Sequence, residues 1–282
     1  MFVFSFYSML RIAILDLYNG QENQGMRCLR EILHNWSKQN DLEIHLDEFN
    51  VRLNQAVPDV SYDIYISSGG PGDPLESEGS DWEKVYLSWL EKIENWNNDA
   101  KNDRKKFVFF ICHSFEIICR HYGLGKVSKR KSTAFGVFPV HHTLHGKKEI
   151  VFHKLKDPFY VVDSRDYQVI QPNHKKMNMT GAKILCVEKD RPHVPYERAV
   201  MAIRFNKYMI GTQFHPEADA EGMSIYLLSD SKKKTVIENH GEEKWQSMLE
   251  GLGDPDKIMF TYAHIIPNFL TTALQHLQPA VV

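Results

Sequence analysis

Cysteine is scarce in this sequence, with four residues in a chain of 282. They are Cys28, Cys112, Cys119 and Cys186, and no two of them form a Cys-x-x-Cys pair. Small disulfide-stapled proteins have many cysteines at close spacing. The scarcity argues against a disulfide framework and predicts a reducing, cytoplasmic setting.

An excess of charge of either sign is also missing. Lysine and arginine number 34 and aspartate and glutamate 36, which gives a net charge of −2. Proteins that bind nucleic acid through its phosphates usually have a basic excess, so no nucleic-acid partner is expected. Hydrophobic residues make up 43% of the chain, which is enough for a core and excludes disorder. The length fits one large domain, or one domain with an extension.

The apolar stretch at the start, residues 1–10, is too short to cross a bilayer, and Arg11 interrupts it. It has neither the basic n-region nor the small-residue cleavage site of a secretory signal. We therefore expect no membrane anchor. We expect translation to start at Met9, and a start at Met1 is left open.

The sequence also has no Gly-rich P-loop, no internal repeat and no low-complexity tract. His141, His142 and His145 lie close together, but successive side chains of a strand point to opposite faces, so a shared metal is not expected. The sequence predicts neither a metal nor a cofactor.

Strands and helices alternate through the first half of the chain. Apolar runs of strand length and amphipathic segments of helical period follow one another. Predicted strands cover residues 11–17, 42–51, 62–67 and 107–111, and predicted helices cover residues 24–36, 81–96 and 113–123. This rhythm predicts a mostly parallel sheet with helices on both faces, which binds ligands at the carboxyl ends of its strands.

The pattern of the second half changes at Phe135, where short β runs separated by turn signals predict an antiparallel excursion that returns to the sheet. After Glu217 the pattern is helical, with Asp254 and Pro255 as the N-cap and first position of the last helix. Predicted strands cover residues 135–141, 149–153, 159–162, 168–171, 183–188, 199–205 and 208–212, and predicted helices cover residues 222–228, 242–252 and 254–277.

The most informative segment is Phe-Val-Phe-Phe-Ile-Cys-His-Ser-Phe-Glu at residues 107–116. Five apolar residues lead into Cys112, and helix-compatible residues follow as far as Gly123. The pattern predicts a buried strand, a tight turn at the cysteine and a helix, which is the arrangement of a nucleophile elbow. The partial positive charge at a helix N-terminus favours a thiolate, so we expect a lowered pKa for the Cys112 thiol. A single cysteine at a strand end is more often packing than a nucleophile, and other segments must support the interpretation.

Two further segments supply that support. Residues 62–74 read as a strand that ends in a Gly-rich turn, whose glycines let backbone N–H groups face a ligand. Residues 208–217 read as another strand that ends in His215, and Pro216 holds the link extended so that Glu217 can fold back onto the imidazole. Cysteine, histidine and glutamate at three strand ends are the components of a thiol activated by a base that a third group orients.

At these residues the chain resembles the class I (triad) glutamine amidotransferases, and it is similar to the amidotransferase domain of GMP synthase. The family has, in this order, a Gly-Gly-Pro-Gly type of turn, a cysteine elbow and a His-Pro-Glu signature. Residues 69–72, Cys112 and residues 215–217 match that order. The resemblance implies a flavodoxin-like α/β fold over residues 9–220, with residues 221–282 as a helical extension packed on the same domain.

The activity that the resemblance implies is hydrolysis of the side-chain amide of glutamine, or of another γ-glutamyl compound, through a thioester. Cys112 would be the nucleophile, His215 the general base and acid, and Glu217 the group that orients the imidazole. The backbone N–H groups of Gly70 and His113 match the family's positions for the oxyanion donors.

The elbow departs from the family's usual Gly-x-Cys-x-Gly-x-Gln at three positions. Phe110 and Ser114 stand in place of the two glycines. Glu116 replaces a glutamine that contacts substrate in the family, and an ionised carboxylate there would pair with an α-ammonium but repel an α-carboxylate. Gly72 matches a position where the turn approaches the substrate closely. Gly72 and Glu116 are therefore expected to lie against the substrate.

Arg165 is the third residue expected at the substrate. Residues 163–168 fall where many amidotransferases have a Ser-His-x-Asp type of loop, and Arg165 replaces the histidine. Its planar guanidinium suits a substrate carboxylate. An ordinary ion pair with a nearby Asp or Glu is left open as the alternative.

Two other functions stay open. The chain also resembles the homoserine O-succinyltransferases, at residues 121–123, 135–138, 164–165 and 215–219, and such an enzyme would move an acyl group from coenzyme A through Cys112 to a hydroxyl. The Gly-rich turn at residues 69–72 favours the amidotransferase. A catalytically degenerate binding module is the third possibility, which the elbow substitutions suggest and the intact triad opposes.

The partner that the family implies is an acceptor of ammonia, usually a synthase domain in the same chain or in a second protein. No segment after Glu217 resembles an ATP-using module. We therefore expect either a separate synthase partner or direct cleavage of a γ-glutamyl amide, as stand-alone relatives perform. The acceptor and the oligomeric state are left open.

Overall fold

One nine-stranded mixed sheet organises the chain in the computed structural model, which describes residues 9–193, 195–228, 230–252, 254 and 257–278. The strands are β1 (Leu10–Asp16), β2 (Ile44–Asn50), β3 (Ile64–Ser67), β4 (Phe107–Ile111), β5 (Lys126–His142), β6 (Phe159–Ile170), β7 (Lys183–Glu188), β8 (Val200–Asn206) and β9 (Met209–Thr212). The helices of the described residues are α1 (Gln24–Gln39), α2 (Val51–Asn54), α3 (Asp81–Asn98), α4 (His113–His121), α5 (His174–Thr180), α6 (Ala220–Leu228), α7 (Asp230–His240), α8 (Glu242–Leu252) and α9 (Ile258–Leu277).

The strand order is β2-β1-β3-β4-β9-β8-β7-β5-β6. The first five strands of that order pair in parallel, and β9 is followed by antiparallel pairings through β8, β7, β5 and β6. Because β9 lies parallel to β4, the antiparallel excursion returns the chain to the centre of the sheet. The flavodoxin-like α/β fold with an antiparallel excursion is therefore confirmed.

The two faces of the sheet are covered by different helices, as the alternation of successive side chains along β1 between the two faces shows. Ile12 and Ile14 belong to a core that includes residues of α1 and α9. Ala13 and Leu15 belong to a second core, which includes residues of α3 and α4. Strands that are buried on both faces read as continuous apolar runs, which is why the first four strands could be recognised from sequence.

The C-terminal helices pack on the same sheet. In α9, Thr271 accepts a hydrogen bond from the Trp36 indole at 3.0 Å, and the Asn268 amide donates to the Val151 carbonyl at 3.1 Å. Helices α6, α7 and α8 enclose a third, smaller apolar cluster over β5 and β6. The division into residues 9–220 and 221–282 stays a prediction.

The predicted strand at residues 149–153 is wrong. The chain forms two short 3-10 turns there, and the Glu149 carboxylate caps the second by accepting from the Val151 N–H at 3.3 Å. The turns bury Val151 and Phe152 in the core that contains α9. An apolar triplet of this kind has the same local pattern as a short strand, so the long-range contact decides its structure.

Other boundaries also differ from the predictions. The predicted strands at residues 159–162 and 168–171 fall on one strand, β6, which ends at Ile170, and the last helix begins at Ile258 rather than at Asp254. Pro255, the predicted first position of that helix, lies outside the described residues, as do residues 1–8. Helices α2, α5 and α7 have no counterpart among the predictions. Within the described ranges, no helix combines the length and the apolar composition that crossing a membrane requires.

Candidate functional site

The carboxyl ends of the parallel strands open into one cleft of about 1160 Å³. The segments after β1, β3, β4 and β9 contribute Tyr18, Gly70, Cys112 and His215 to its wall. Open α/β sheets bind ligands at this edge. Every residue that the sequence predicts for the site lines the cleft: Gly70, Gly72, Cys112, His113, Glu116, Arg165, His215 and Glu217.

Cys112 lies in a strained turn between β4 and α4. Its φ of 48° and ψ of −100° are uncommon for a residue with a side chain. The turn is held on both sides, because the Cys112 N–H donates to the Thr212 carbonyl at 2.8 Å and its carbonyl accepts from the Glu116 N–H at 3.0 Å. Strain of this kind persists only where the surroundings enforce it, and it clusters at functional sites. The chain thus forms the elbow that its sequence predicts.

The two substitutions around the elbow fit without disrupting it. The Ser114 hydroxyl donates to the Ser67 carbonyl at 2.9 Å and so ties α4 to β3. Phe110 is fully buried in the core between the sheet and α4. Gly211 pairs with Phe110 in β9 and leaves it room, since a Cβ on Gly211 would lie 3.1 Å from the Phe110 Cβ. Phe110 stands in β4 where the family has a glycine, and Gly211 of the neighbouring strand β9 leaves space for its side chain.

His215 and Glu217 form a hydrogen-bonded pair directly after β9. The His215 Nδ1 and the Glu217 Oε1 are 2.8 Å apart. The backbone is fixed as well, because the His215 N–H donates to the Val162 carbonyl of β6 at 2.9 Å. The Glu217 side chain is 2% exposed, so its charge acts on the imidazole with little screening by water. This arrangement leaves Nε2 as the ring nitrogen that can serve the thiol.

The Cys112 thiol lies beside the His215 imidazole, and it donates to the Ser164 carbonyl oxygen, 3.9 Å from the sulfur. Burial raises the pKa of the Cys112 thiol, and the neighbouring His215 offsets only part of that rise. The expectation of a lowered thiol pKa from the helix N-terminus is therefore wrong, because the side chain is almost completely removed from water. For His215, burial lowers the pKa, but the charges of Glu217 and Cys112 together outweigh burial and leave it well above its usual range. The pair is arranged for proton transfer from thiol to imidazole.

The Gly-rich turn after β3 can be made only by glycines at its centre. A Cβ on Gly69 would lie 2.8 Å from the His215 Cε1, and a Cβ on Gly70 would lie 2.4 Å from the Leu17 carbonyl oxygen. The Arg52 guanidinium donates to the carbonyls of Leu17 and Pro71 and holds the turn against β1. Arg52 is a positioning residue that the sequence analysis missed, since nothing in its local pattern indicates a contact with the turn.

Two backbone amides of this region have no hydrogen-bond partner among the described residues. They are the N–H groups of Gly70, in the turn, and His113, at the first position of α4. Free N–H groups at a helix N-terminus favour negative charge. The N–H groups of Gly70 and His113 are both available to a ligand, as the sequence predicts for oxyanion donors.

Gly72, in the same turn as Gly70, has a φ of 103°, a conformation that residues with a side chain rarely adopt.

Glu116 lies in the first turn of α4 and is almost fully buried. The Gln213 amide donates to its carboxylate at 2.8 Å. Burial raises the pKa of Glu116 to about 8, although the bond from Gln213 opposes the rise. At neutral pH the side chain is therefore mainly uncharged, and it resembles the glutamine that the family has at this position. The repulsion of a substrate α-carboxylate is then relieved below about pH 8.

Replacing Glu116 by glutamine is expected to stabilise the protein increasingly as the pH rises. An unfolded glutamate ionises near its ordinary pKa of 4.5, whereas folded Glu116 retains its proton to about pH 8. Wild-type stability must therefore fall between these two pH values, and Glu116→Gln removes that fall. The difference in unfolding free energy between the two proteins should grow by about 2 to 4 kcal/mol from pH 5 to pH 8.5.

Denaturant unfolding at several pH values measures this difference, and Glu22→Gln is the matched control because Glu22 lines the same cleft but is exposed. A difference between wild type and Glu116→Gln that does not change with pH would contradict the raised pKa.

Arg165 is fully buried, with 1% of its side chain exposed. Its Nε donates to Asp163 at 2.8 Å, its Nη1 donates to the Tyr167 carbonyl at 3.0 Å, and its Nη2 lies 3.6 Å from Glu188. The guanidinium is thus occupied by protein groups. Of the two roles left open for Arg165, this geometry favours the internal ion pair over a substrate carboxylate.

Tyr18 is a cleft residue that the sequence analysis missed. Its hydroxyl approaches two glycines closely: a Cβ on Gly25 would lie 2.5 Å from that oxygen, and a Cβ on Gly69 would lie 3.4 Å from it. Burial, followed by the charges of Glu217 and Cys112, raises the pKa of Tyr18. Within the described part of the chain the hydroxyl has no hydrogen-bond partner. Its position after β1, at the same edge as the other strand ends, is the signal that could have identified it.

The described residues contain no group of three or more His, Cys, Asp and Glu side chains placed to hold a metal ion. The three neighbouring histidines lie away from the cleft. The His141 imidazole pairs with Asp157 at 3.6 Å, and the His142 ring packs on Phe159 with centroids 4.9 Å apart.

Comparisons with known proteins identify the family of the chain. A model of the family described as Glutamine amidotransferase class-I matches residues 25–234. Among curated protein sequences, none matches the chain significantly.

Solved structures are similar at low sequence identity. A glutamine amidotransferase from Thermotoga maritima is 15% identical with a TM-score of 0.67, over 95% of this chain and 100% of that chain. A glutamine amidotransferase from Methylobacillus flagellatus is 14% identical with a TM-score of 0.61, over 98% of each chain. A candidate component of GMP synthase from Thermoplasma acidophilum is 18% identical with a TM-score of 0.49, over 78% of this chain and 92% of that chain. The first two likenesses extend over almost the whole chain and agree with the fold described above.

Proposed function

Because the chain belongs to the class I glutamine amidotransferase family, we propose that it hydrolyses the side-chain amide of glutamine, or of another γ-glutamyl compound, through a Cys112-His215-Glu217 triad. The observation that carries the proposal is the cleft in which a cysteine on a strained elbow contacts a histidine that is hydrogen-bonded to a buried glutamate. A nucleophile, its base and the group that orients the base make up this type of covalent catalysis.

The first half of the proposed reaction forms a thioester. His215 Nε2 takes the proton of the Cys112 thiol, and the sulfur attacks the amide carbon. The carbonyl oxygen becomes an oxyanion, which the N–H groups of Gly70 and His113 stabilise. The C–N bond then breaks, and the imidazolium gives its proton to the departing nitrogen, so that ammonia or an amine leaves and a γ-glutamyl thioester remains.

The second half returns the enzyme to its starting state. Neutral His215 takes a proton from water, the resulting hydroxide attacks the thioester carbon, and the C–S bond breaks. The thiolate recovers its proton from the imidazolium, and glutamate leaves. Glu217 keeps the imidazole in one tautomer through both halves, because it accepts the Nδ1 proton.

The α-ammonium and α-carboxylate groups of the substrate are assigned to the part of the cleft near Gly72 and Glu116. Gly72 lets the turn come close to the substrate, and Glu116 presents an uncharged carboxylic acid at neutral pH that can donate to an α-carboxylate or accept from an α-ammonium. Members of the family take glutamine and pass ammonia to a synthase. A synthase partner for this chain is accordingly part of the proposal, and its identity is left open.

The test is release of glutamate and ammonia from L-glutamine by the purified chain, with Cys112→Ala as the control. Wild-type turnover that disappears in Cys112→Ala, together with a γ-glutamyl adduct on Cys112 in mass spectra of quenched reactions, is the expected result. If wild type and Cys112→Ala release glutamate at the same rate, the proposal fails. Transfer of an acyl group from coenzyme A through Cys112 is the outcome that would reassign the chain to the acyltransferases.

A further inference from the structure

The cleft is larger than glutamine requires. Its volume of about 1160 Å³ exceeds the range of about 300 to 1000 Å³ that suits drug-sized ligands. Glutamine is much smaller than such a ligand, and its amide would leave as ammonia. Most of the space beyond Cys112 would then remain filled with water.

The extra space is apolar and lies beside His215. Val162, whose carbonyl accepts from the His215 N–H, belongs to the cluster that packs under α6 and α7. Two aromatic rings line the same cleft and contact each other, Phe135 of β5 and Tyr226 of α6, with centroids 5.2 Å apart. We call this region the amine pocket, and its lining residues are Phe135, Val162, Met223, Ile225, Tyr226 and Val236.

The amine pocket opens from the same cleft as His215, whose backbone N–H donates to the carbonyl of Val162, one of the residues that line the pocket. In the proposed reaction the departing nitrogen receives its proton from His215, so it must face the imidazole. A substituent on that nitrogen would extend past His215 toward the wall next to Val162. The γ-glutamyl half of the substrate is held at the elbow and the Gly-rich turn and does not need this space.

Several charged side chains of the cleft have partners within the protein. Arg130 pairs with Glu188 at 3.1 Å, the Lys131 ammonium donates to the Tyr196 hydroxyl at 3.0 Å, and Asp219 pairs with Arg27 at 2.8 Å. An amine with several charged groups would find no partner of opposite sign among the six residues that line the amine pocket, which are all uncharged. An apolar or aromatic substituent would instead remove the apolar wall from water.

A small molecule fits this region better than a docked protein does. The walls come from β5, β6, α6 and α7 of the same chain, and together they form a concave part of the cleft that is open to solvent where Ile225 is 51% exposed. It is also continuous with the catalytic cleft, which places its occupant within reach of Cys112.

We propose, on the basis of the function proposed above, that the substrate is a γ-glutamyl amide of an apolar or aromatic primary amine, whose substituent binds in the amine pocket. The thiolate forms a C–S bond as the C–N bond breaks, and the amine leaves with the proton of His215. Water then hydrolyses the thioester, so one amide and one water give glutamate and one free amine, with no oxidant or reductant.

The test compares three substrates: γ-glutamyl phenethylamide, γ-glutamyl methylamide and L-glutamine. The first two have alkylamine leaving groups of similar chemistry, so a difference between them reports binding of the phenyl group. Burial of an aromatic ring should raise kcat/KM for the phenethylamide roughly 10- to 100-fold over the methylamide. Phe135→Ser should lower that ratio by at least about 5-fold. Phe138→Ser is the matched control, because Phe138 lies on the same strand outside the cleft, and it should keep the wild-type ratio.

The outcomes separate the two proposals. Cys112-dependent hydrolysis of glutamine with equal kcat/KM for both alkylamides would overturn the amine pocket and leave the proposed function intact. If no substrate is turned over, the proposed function fails, and calorimetric titration of the Cys112→Ala protein with the same two alkylamides decides the pocket. Tighter binding of the phenethylamide that Phe135→Ser abolishes would support it, and equal or undetectable binding of the two would overturn it.

Discussion

We expect the replacement of His215 by alanine to lower the rate of the proposed glutamine hydrolysis by roughly 10⁴-fold. The imidazole has two tasks in the proposed mechanism, since it removes the thiol proton and protonates the departing nitrogen. The first task is necessary here because burial raises the pKa of Cys112, so the thiol does not ionise readily without a partner. Glu217→Gln should lower the rate by roughly 10³- to 10⁴-fold, because it removes the charge beside the imidazole and its amide can donate to Nδ1 and so hold the wrong tautomer.

Two measurements check this result. The rate of glutamate release gives the loss of turnover, and the rate of alkylation of Cys112 by iodoacetamide reports its thiolate fraction without any need for substrate. Both should fall in His215→Ala. In Glu217→Gln the limb of the pH profile that depends on His215 should move to lower pH, because Glu217 helps to hold the pKa of His215 above its usual range. His142→Ala is the control, because His142 lies in the apolar cluster around Phe159 and outside the cleft.

Alkylation at the wild-type rate in His215→Ala would contradict the assignment of His215 as the base. Unchanged alkylation together with lost turnover would restrict its role to protonation of the leaving group.

The positions of the three triad candidates could be predicted because each follows a strand of simple pattern. Residues 107–111 are all buried, as are residues 64–67 and 209–212, so burial on both faces is visible as an apolar run. In a parallel sheet the residues that follow such strands meet at one edge. The order of these segments in the sequence, and the rule that parallel strands end at one edge of a sheet, were therefore sufficient to predict that Cys112, His215 and the Gly-rich turn lie together.

The electrostatics of the site could not be predicted from the same pattern. The pKa of Cys112 depends on how completely the cleft walls remove it from water, and the pKa of Glu116 depends on its burial beside Gln213, which lies 97 residues further along the chain. Arg165 shows the same difficulty, since its interaction with Glu188 joins β6 to β7. A motif predicts which residues meet, whereas burial and distant partners decide their protonation.

Segments with weak local signals were missed for a related reason. Helix α7 contains the charged run at residues 231–234, which has no apolar stripe of helical period. Helix α5 has both of its ends marked, by the Asn173 side chain that accepts from the Lys176 N–H and by Gly181 in the left-handed conformation. Seven residues are too few for a clear helical period, so only those end signals could have revealed it.

Replacing Gly70 by alanine is the second change for which we expect a large effect, a fall in kcat of roughly 10²- to 10³-fold. An added Cβ would lie 2.4 Å from the Leu17 carbonyl oxygen and 3.0 Å from the Leu17 carbonyl carbon. Both atoms belong to the backbone at the end of β1, so neither can rotate away. The turn must move instead, and its N–H would then no longer point at the oxyanion of the proposed reaction.

The separate effects of Gly70→Ala on kcat and on KM identify why the rate falls. An oxyanion donor acts mainly in the transition state, so kcat and kcat/KM should fall together while KM changes little. The control is Gly79→Ala: Gly79 has a φ of 78° and open space around its Cα, so alanine there strains the backbone without displacing the turn. Gly79→Ala should lose about 1 kcal/mol of stability and keep the wild-type kcat. A Gly70→Ala protein with normal kcat and a raised KM would instead place Gly70 in ground-state binding, since only a contact made equally to substrate and transition state gives that pattern.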